Sequence, residues 1–216
     1  MPIDQLLLFI AAGLLLNLTP GPDVVYIVSN ALRFGARAGV VAALGITAGC
    51  FVHIAAAAVG VSALMAASAT AFAVLKWVGA AYLVYVGIRL LLSRAPSAIN
   101  LEAACANSAG VVALKGVFFR GFWTNALNPK VALFFLAFLP QFIGPAVEYK
   151  SLAFLALGLL FNFNGLWVNI GWALAAAGLA RRVTAVQRSL HWLDRLAGVM
   201  FLAFGCKLAL TDPPKF

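Results

Sequence analysis

Two apolar stretches of this chain, each long enough to cross a bilayer, are interrupted by proline and by charge. The first interruption is Asn17-Leu18-Thr19-Pro20-Gly21-Pro22-Asp23 and the second is Asn125-Ala126-Leu127-Asn128-Pro129-Lys130. In hydrocarbon a helix must satisfy its backbone polar groups internally, and a proline break leaves some of them without partners. Asp23 and Lys130 add a charge at each break, and ionisable groups at membrane depth face a protein interior or a watery cavity. Such a chain has to enclose both breaks in protein, around a cavity, and that points to transport.

Composition supports a membrane setting. Of 216 residues, 64% are apolar and only 10% are Asp, Glu, Lys or Arg, against roughly 25% charged residues in soluble domains. The net charge of +9 does not mark a nucleic-acid surface, because the basic residues form short clusters between apolar runs, which is a topology signal. Asp4 precedes the first apolar run and no Lys or Arg comes before Arg33. A signal peptide is therefore not expected, and Leu6 to Leu16 reads as the start of a retained helix. Cys50, Cys105 and Cys206 are widely spaced and odd in number, so neither a redox pair nor a disulfide framework is expected. With His53 and His191 the only histidines, no metal cluster and no nucleophile–base set stands at motif spacing. The reading is of a non-enzyme with no catalytic residue, metal or cofactor.

A helix needs about 20 residues to cross the hydrocarbon. Six segments qualify: Leu6 to Ser29 or on to Arg33, with the first break; about Val40 to Met65; Phe72 to Leu92; about Gly121 to Ile143, with the second break; about Ser151 to Ala176; and about Trp192 to Leu210. The last is the weakest, trimmed by Asp194, Arg195 and Lys207. Arg33 and Arg37, then Arg94, Lys115 and Arg120, then Arg181, Arg182 and Arg188 fall in alternate connections. The positive-inside rule puts those connections in the cytoplasm and both termini outside. If the sixth segment does not span, the C-terminus is inside instead. The expected fold is an all-α polytopic membrane protein forming one transporter domain, 1–216. Residues 1–92 form the first three-helix half, 93–120 a cytoplasmic linker and 121–216 the second half. The second triplet starts on the opposite side from the first. Broken first and fourth helices in two inverted repeats are an arrangement that transporters use.

The chemistry of the breaks follows from proline. It has no amide hydrogen and clashes with the carbonyl four residues back. Pro20 thus frees the carbonyl of Leu16 and Pro22 that of Leu18. Gly21 lets the chain turn sharply. Pro22 and Pro129 suit the first position of a new half-helix, with Asn128 as its cap. Both half-helices would offer free amides and a positive dipole end, suited to a carboxylate. Asp23 fits a first turn. Lys130 does not, and needs an anion there, either Asp23 or a substrate carboxylate. An Asp23–Lys130 pair that opens for substrate is one reading. A permanent pair joining the halves, or a proline kink without a site, are the others.

Asn162, Asn164 and Asn169 lie in the fifth segment, with Asn162 and Asn169 on one face. They either extend the polar path or join helices. His53 reads as a hydrogen-bonded packing residue, with proton relay as the alternative. The glycines and Phe134, Phe135, Phe138 and Phe142 read as packing or lipid-facing positions. The expected substrate contacts are Asn17, Thr19, Pro20, Gly21, Pro22, Asn125, Asn128, Pro129, Asn162 and Asn169, with Asp23 and Lys130 carrying transport and proton coupling.

The first break strongly resembles the signature of the lysine exporter family, also described as the threonine and homoserine efflux family. The likeness continues through Ala31-Leu32-Arg33-Phe34-Gly35-Ala36-Arg37-Ala38-Gly39 and Ala43-Leu44-Gly45-Ile46-Thr47-Ala48-Gly49. It returns in Gly121-Phe122-Trp123-Thr124-Asn125-Ala126-Leu127-Asn128-Pro129-Lys130 and Phe134-Phe135-Leu136-Ala137-Phe138-Leu139-Pro140-Gln141-Phe142. It covers nearly the whole chain. The resemblance implies a multi-pass exporter of amino acids or close derivatives in the bacterial inner membrane, surrounded by lipid, driven by protons and assembled as a homodimer. The alternative function is a small-solute or ion channel without proton coupling, which would need one continuous pore.

Overall fold

The computed structural model describes residues 3–61, 63, 69–92, 113–143 and 147–178, with single positions between 195 and 210. The linker stretch 93–112, most of the sixth expected segment, Cys105 and His191 lie outside the described residues.

Helix α1 spans Ile3–Leu18. It stops because Pro20 cannot donate; the Thr19 amide and hydroxyl both still bond the carbonyl of Leu15, at 2.9 and 2.6 Å. Helix α2, Pro22–Phe34, restarts at a proline, and the pair is bent by 51°. Gly35, at φ +83°, closes α2 by donating to the carbonyl of Ala31. A side chain would be strained there. Helix α3, Ala36–Ala56, follows at once and ends in a wide π-type turn, Ala57–Val61. It starts earlier than expected, so Arg33 and Arg37 sit in flanking helical turns instead of a loop. Helix α4 is Ala69–Leu92.

Helix α5, Leu114–Ala126, begins well before Gly121. Residues 114–120, expected within the 93–120 linker, are helical, because Lys115 and Arg120 can hold their charges at a helix end as easily as in a loop. Leu127 and Asn128 form the second break. Helix α6 restarts at Pro129–Leu133, then widens over Phe134–Phe138 and tightens over Leu139–Phe142. The α5–α6 pair is bent by 43°. Helix α7 is Lys150–Gly178.

Ala36–Gly60 and Lys150–Gly178 are each long and apolar enough to cross a membrane, and each bent pair passes the same test as one broken span. The molecule is therefore an all-α polytopic membrane protein with at least two spanning helices, and four when the bent pairs are counted.

Two apolar cores stand on either side of the breaks. One is aromatic: Phe9, Phe134, Phe135, Phe138, Phe142, Phe154 and Phe161 are all buried. Phe134 stacks on Phe161 with centroids 4.6 Å apart, and Phe9 meets Phe142 edge-on at 5.2 Å. The four phenylalanines of α6 are core residues and do not face lipid. The other core is small: Ile27, Ala42, Ala43, Ile46, Val117 and Ala173. There α3 and α5 touch backbone to backbone. A Cβ on Gly45 would strike the carbonyl oxygen of Phe118, and one on Gly49 that of Phe122. On Gly121 it would lie 2.8 Å from the carbonyl oxygen of Ala42. Residue numbers rise together along this contact, so α3 and α5 run parallel. By the same logic α7 runs parallel to α1 and α2, with Gly13 against Phe161, Asn17 against Gly165 and Gly39 against Ala31 and Ala173. Tyr26 Oη on α2 donates to the carbonyl of Val117 on α5 at 2.8 Å, which brings the second turn of α2 beside the start of α5.

Candidate functional site

Between the cores the two breaks meet, and the released backbone groups decide how. The carbonyl of Leu16, freed by Pro20, accepts from Lys130 Nζ at 3.2 Å, and the carbonyl of Thr19 accepts from the same nitrogen at 3.1 Å. The ammonium of the second break therefore sits on the open end of α1. Gly21 makes room for it: a Cβ there would be 3.0 Å from Lys130 Nζ. Gly21 itself is extended, φ −156°, a conformation open to any residue. Its role is to lack a side chain beneath Lys130, not to turn the chain.

The second break is capped by its own residues. Asn128 Oδ1 accepts from the Lys130 amide at 3.0 Å, the cap expected from the sequence. The carbonyl of Asn125, freed by Pro129, accepts from the Asn128 amide at 2.8 Å and lies 2.8 Å from His53 Nε2. The Asn125 side chain crosses to α2, where Nδ2 donates to Asp23 Oδ2 at 2.9 Å. Asp23 is buried in the first turn of α2, and that helix start has no side-chain cap.

These groups surround one cavity. Leu16 and Asn17 line it from α1, Asp23 and Val24 from α2, and Ile46, Thr47 and Cys50 from α3. Asn125, Lys130 and Val131 close it from the second break, and Phe161, Asn162, Gly165 and Asn169 from α7. About 20 Å³ is open to the centres of water molecules, room for one or two waters and none for an amino acid. Asp23 Oδ1, Asn125 Oδ1 and Asn17 Nδ2 are buried without a hydrogen-bond partner among the described residues, and all three residues line the cavity. Buried polar atoms in that state are the ones a ligand can satisfy.

The expected site residues divide in two. Asn17, Asp23, Asn125, Lys130, Asn162 and Asn169 line the cavity. Asn162 and Asn169 do so from one face, as their spacing requires, and Asn162 Nδ2 donates to the carbonyl of Thr47 at 3.2 Å. Thr19, Pro20, Gly21, Pro22, Asn128 and Pro129 are not among the lining residues. Thr19 spends its hydroxyl on Leu15, and Pro22 and Pro129 are exposed on the outer surface. They shape the breaks from outside the cavity. Thr47, Cys50 and Gly165 line the cavity without having been singled out as contacts. The signal for Gly165 was its place one turn from Asn162 on the Asn169 face. Among the described residues no cluster of His, Cys, Asp or Glu can hold a metal ion.

The family model for the LysE type translocator matches residues 14–212. The chain belongs to this family. It is a membrane translocator and not an enzyme, a multi-pass protein of the bacterial inner membrane, and the family comprises amino-acid efflux proteins. It is 33% identical over 209 residues to an uncharacterized membrane protein of Vibrio cholerae, covering 97% of this chain and 98% of that one. It is 32% identical to the homoserine/homoserine lactone efflux protein of Salmonella typhimurium, over 93% and 94% of the two chains. The leucine efflux protein of Salmonella choleraesuis is 24% identical over 93% and 92%. No solved structure matches the chain.

Proposed function

We propose that this translocator exports amino acids or close derivatives in exchange for protons, by alternating access around the cavity between its two breaks. The observation that carries the reading is the cavity's polar inventory. A buried carboxylate with one oxygen unpartnered stands in the same small space as an ammonium and four asparagine amides. An α-amino acid is the complement: its ammonium on Asp23 Oδ1 and Asn125 Oδ1, its carboxylate on Lys130 and Asn17 Nδ2. Homoserine, its lactone and leucine share the α-ammonium, but the lactone has no carboxylate. The ammonium contact with Asp23 is therefore the anchor, and the carboxylate contact adds to it. A proton arriving from outside neutralises Asp23 and releases the ammonium, which couples the two fluxes.

In the same reading the chain has six transmembrane helices in two inverted repeats, 1–92 and 121–216, joined by a cytoplasmic linker, and works as a homodimer. Support for the inversion comes from the directions of the helices: α1 and α2 run parallel to α7, while α3 runs parallel to α5. Each bent pair is followed by a long span that returns.

The test is efflux from proteoliposomes loaded with the twenty amino acids and homoserine, with and without an imposed pH gradient. Saturable efflux of a subset, accelerated by inward proton flow, is expected. Efflux indifferent to the gradient would remove proton exchange from the mechanism, and ohmic single-channel steps would replace it with a channel.

A further inference from the structure

The mechanism above leaves the buried side chain of His53 unused. His53 is 7% exposed, on α3 in the first half of the chain. Its ring lies along that of Phe135, centroids 6.0 Å apart and planes 25° apart. Its Nε2 lies 2.8 Å from the backbone oxygen of Asn125. A carbonyl oxygen only accepts, so Nε2 carries the hydrogen and donates it. The acceptor is the carbonyl that Pro129 deprives of its helical partner. The Asn128 amide takes one of its lone pairs and His53 takes the other.

Asn125 is also the residue that holds Asp23. One side of it is pinned by His53 and the other gives Nδ2 to Asp23 Oδ2. That leaves Asp23 Oδ1 and Asn125 Oδ1 as unpartnered oxygens at the cavity. We propose that His53 is a positioning residue of the translocation site: its Nε2–H fixes the Asn125 backbone so that the Asn125 amide holds Asp23 with one oxygen presented to the substrate ammonium. The role needs a donor at that point and no charge on the ring. The inference rests on the proposed function, since it assigns Asp23 to the substrate.

Full-length wild type, His53→Phe, His53→Gln and Asp23→Asn would be compared in proteoliposomes loaded with the twenty amino acids and homoserine, the effluxed species being followed individually. Phe keeps the ring and its contact with Phe135 and deletes the donor; Gln restores an N–H donor without a titratable ring. One lost hydrogen bond of ordinary strength predicts a roughly fivefold to tenfold loss of export efficiency in His53→Phe, mainly as a raised KM. His53→Gln should stay within about twofold of wild type on the same scale. Export by His53→Phe at the wild-type KM would overturn the inference, as would His53→Gln failing as badly as His53→Phe. A second measurement holds if His53→Phe does not fold. With ring-15N histidine and His191→Gln to remove the other signal, His53 should show a protonated Nε2, in the presence and absence of the Asp23→Asn change. A ring protonated only at Nδ1 would overturn the inference. Normal proton-driven export by Asp23→Asn, or no export by wild type, would instead remove the site reading beneath it.

Discussion

The two breaks share a design and differ in what holds them. The second is closed by its own residues: Asn128 caps the new helix and its amide reaches back to Asn125. The first has no side-chain cap on α2, and its released carbonyls at Leu16 and Thr19 rest on Lys130, a residue of the other break. A self-capped break keeps its helix start when its neighbours move, and His53 has only to orient Asn125. A break held by a visiting ammonium changes when that ammonium finds another partner. A substrate carboxylate is such a partner. In the proposed cycle, occupancy itself loosens the first break while the second stays put.

Lys130→Met tests this asymmetry most severely. It leaves two carbonyls without their donor, at about 1–3 kcal/mol for each one that stays dry, and removes the ammonium that shares the cavity with Asp23. Folded yield and export should both fall. Asp23→Asn should lose proton-coupled export while the protein still inserts, because loss of a charge-assisted hydrogen bond to an ammonium amounts to roughly tenfold to a hundredfold. Combined with Lys130→Met it should restore part of the yield, with a coupling of about 0.5–3 kcal/mol. Strictly additive yields would mean that the charges do not sense each other and that Lys130 acts on the carbonyls alone. Full transport by the double variant would remove both charges from the mechanism.

Asn128→Ala should cost about 1 kcal/mol by loss of the cap, read as a lowered thermal midpoint in detergent, whereas Asn128→Asp should hold it. A larger loss than that of Lys130→Met would reverse the comparison, making the second break the fragile one. Gly21→Ala is the mildest change. Its Cβ meets only the flexible end of Lys130, so stability should shift by well under about 1 kcal/mol. The displaced ammonium should nonetheless weaken export measurably. Unchanged export would show that Lys130 need not sit on the first break.

Much of this was legible in the sequence because proline chemistry is local. The freed carbonyl at Leu16, the restarts at Pro22 and Pro129 and the cap at Asn128 all follow from covalent structure. What takes the freed carbonyls was not legible, because Lys130 and His53 reach them from distant parts of the chain. Gly21 was misread for a related reason: its neighbour across the fold, not its own backbone angles, demands glycine. Lys115 and Arg120 looked like loop charges, and only packing reveals that α5 has already begun. The widened turn at Phe134–Phe138 has no pattern of its own in the sequence; it accompanies the stacking of Phe134 on Phe161 and Phe138.

The contact of α3 with α5 through Gly45, Gly49 and Gly121 bears on how the molecule can move. These helices come from different halves of the chain, yet their main chains touch with no side chains between them. Sliding one along the other would drive methyl-bearing positions into carbonyl oxygens, so the pair behaves as a single keel. If the proposed repeats and alternating access hold, the boundary between the two halves and the boundary along which the molecule moves do not coincide. The rigid unit is then assembled from both halves.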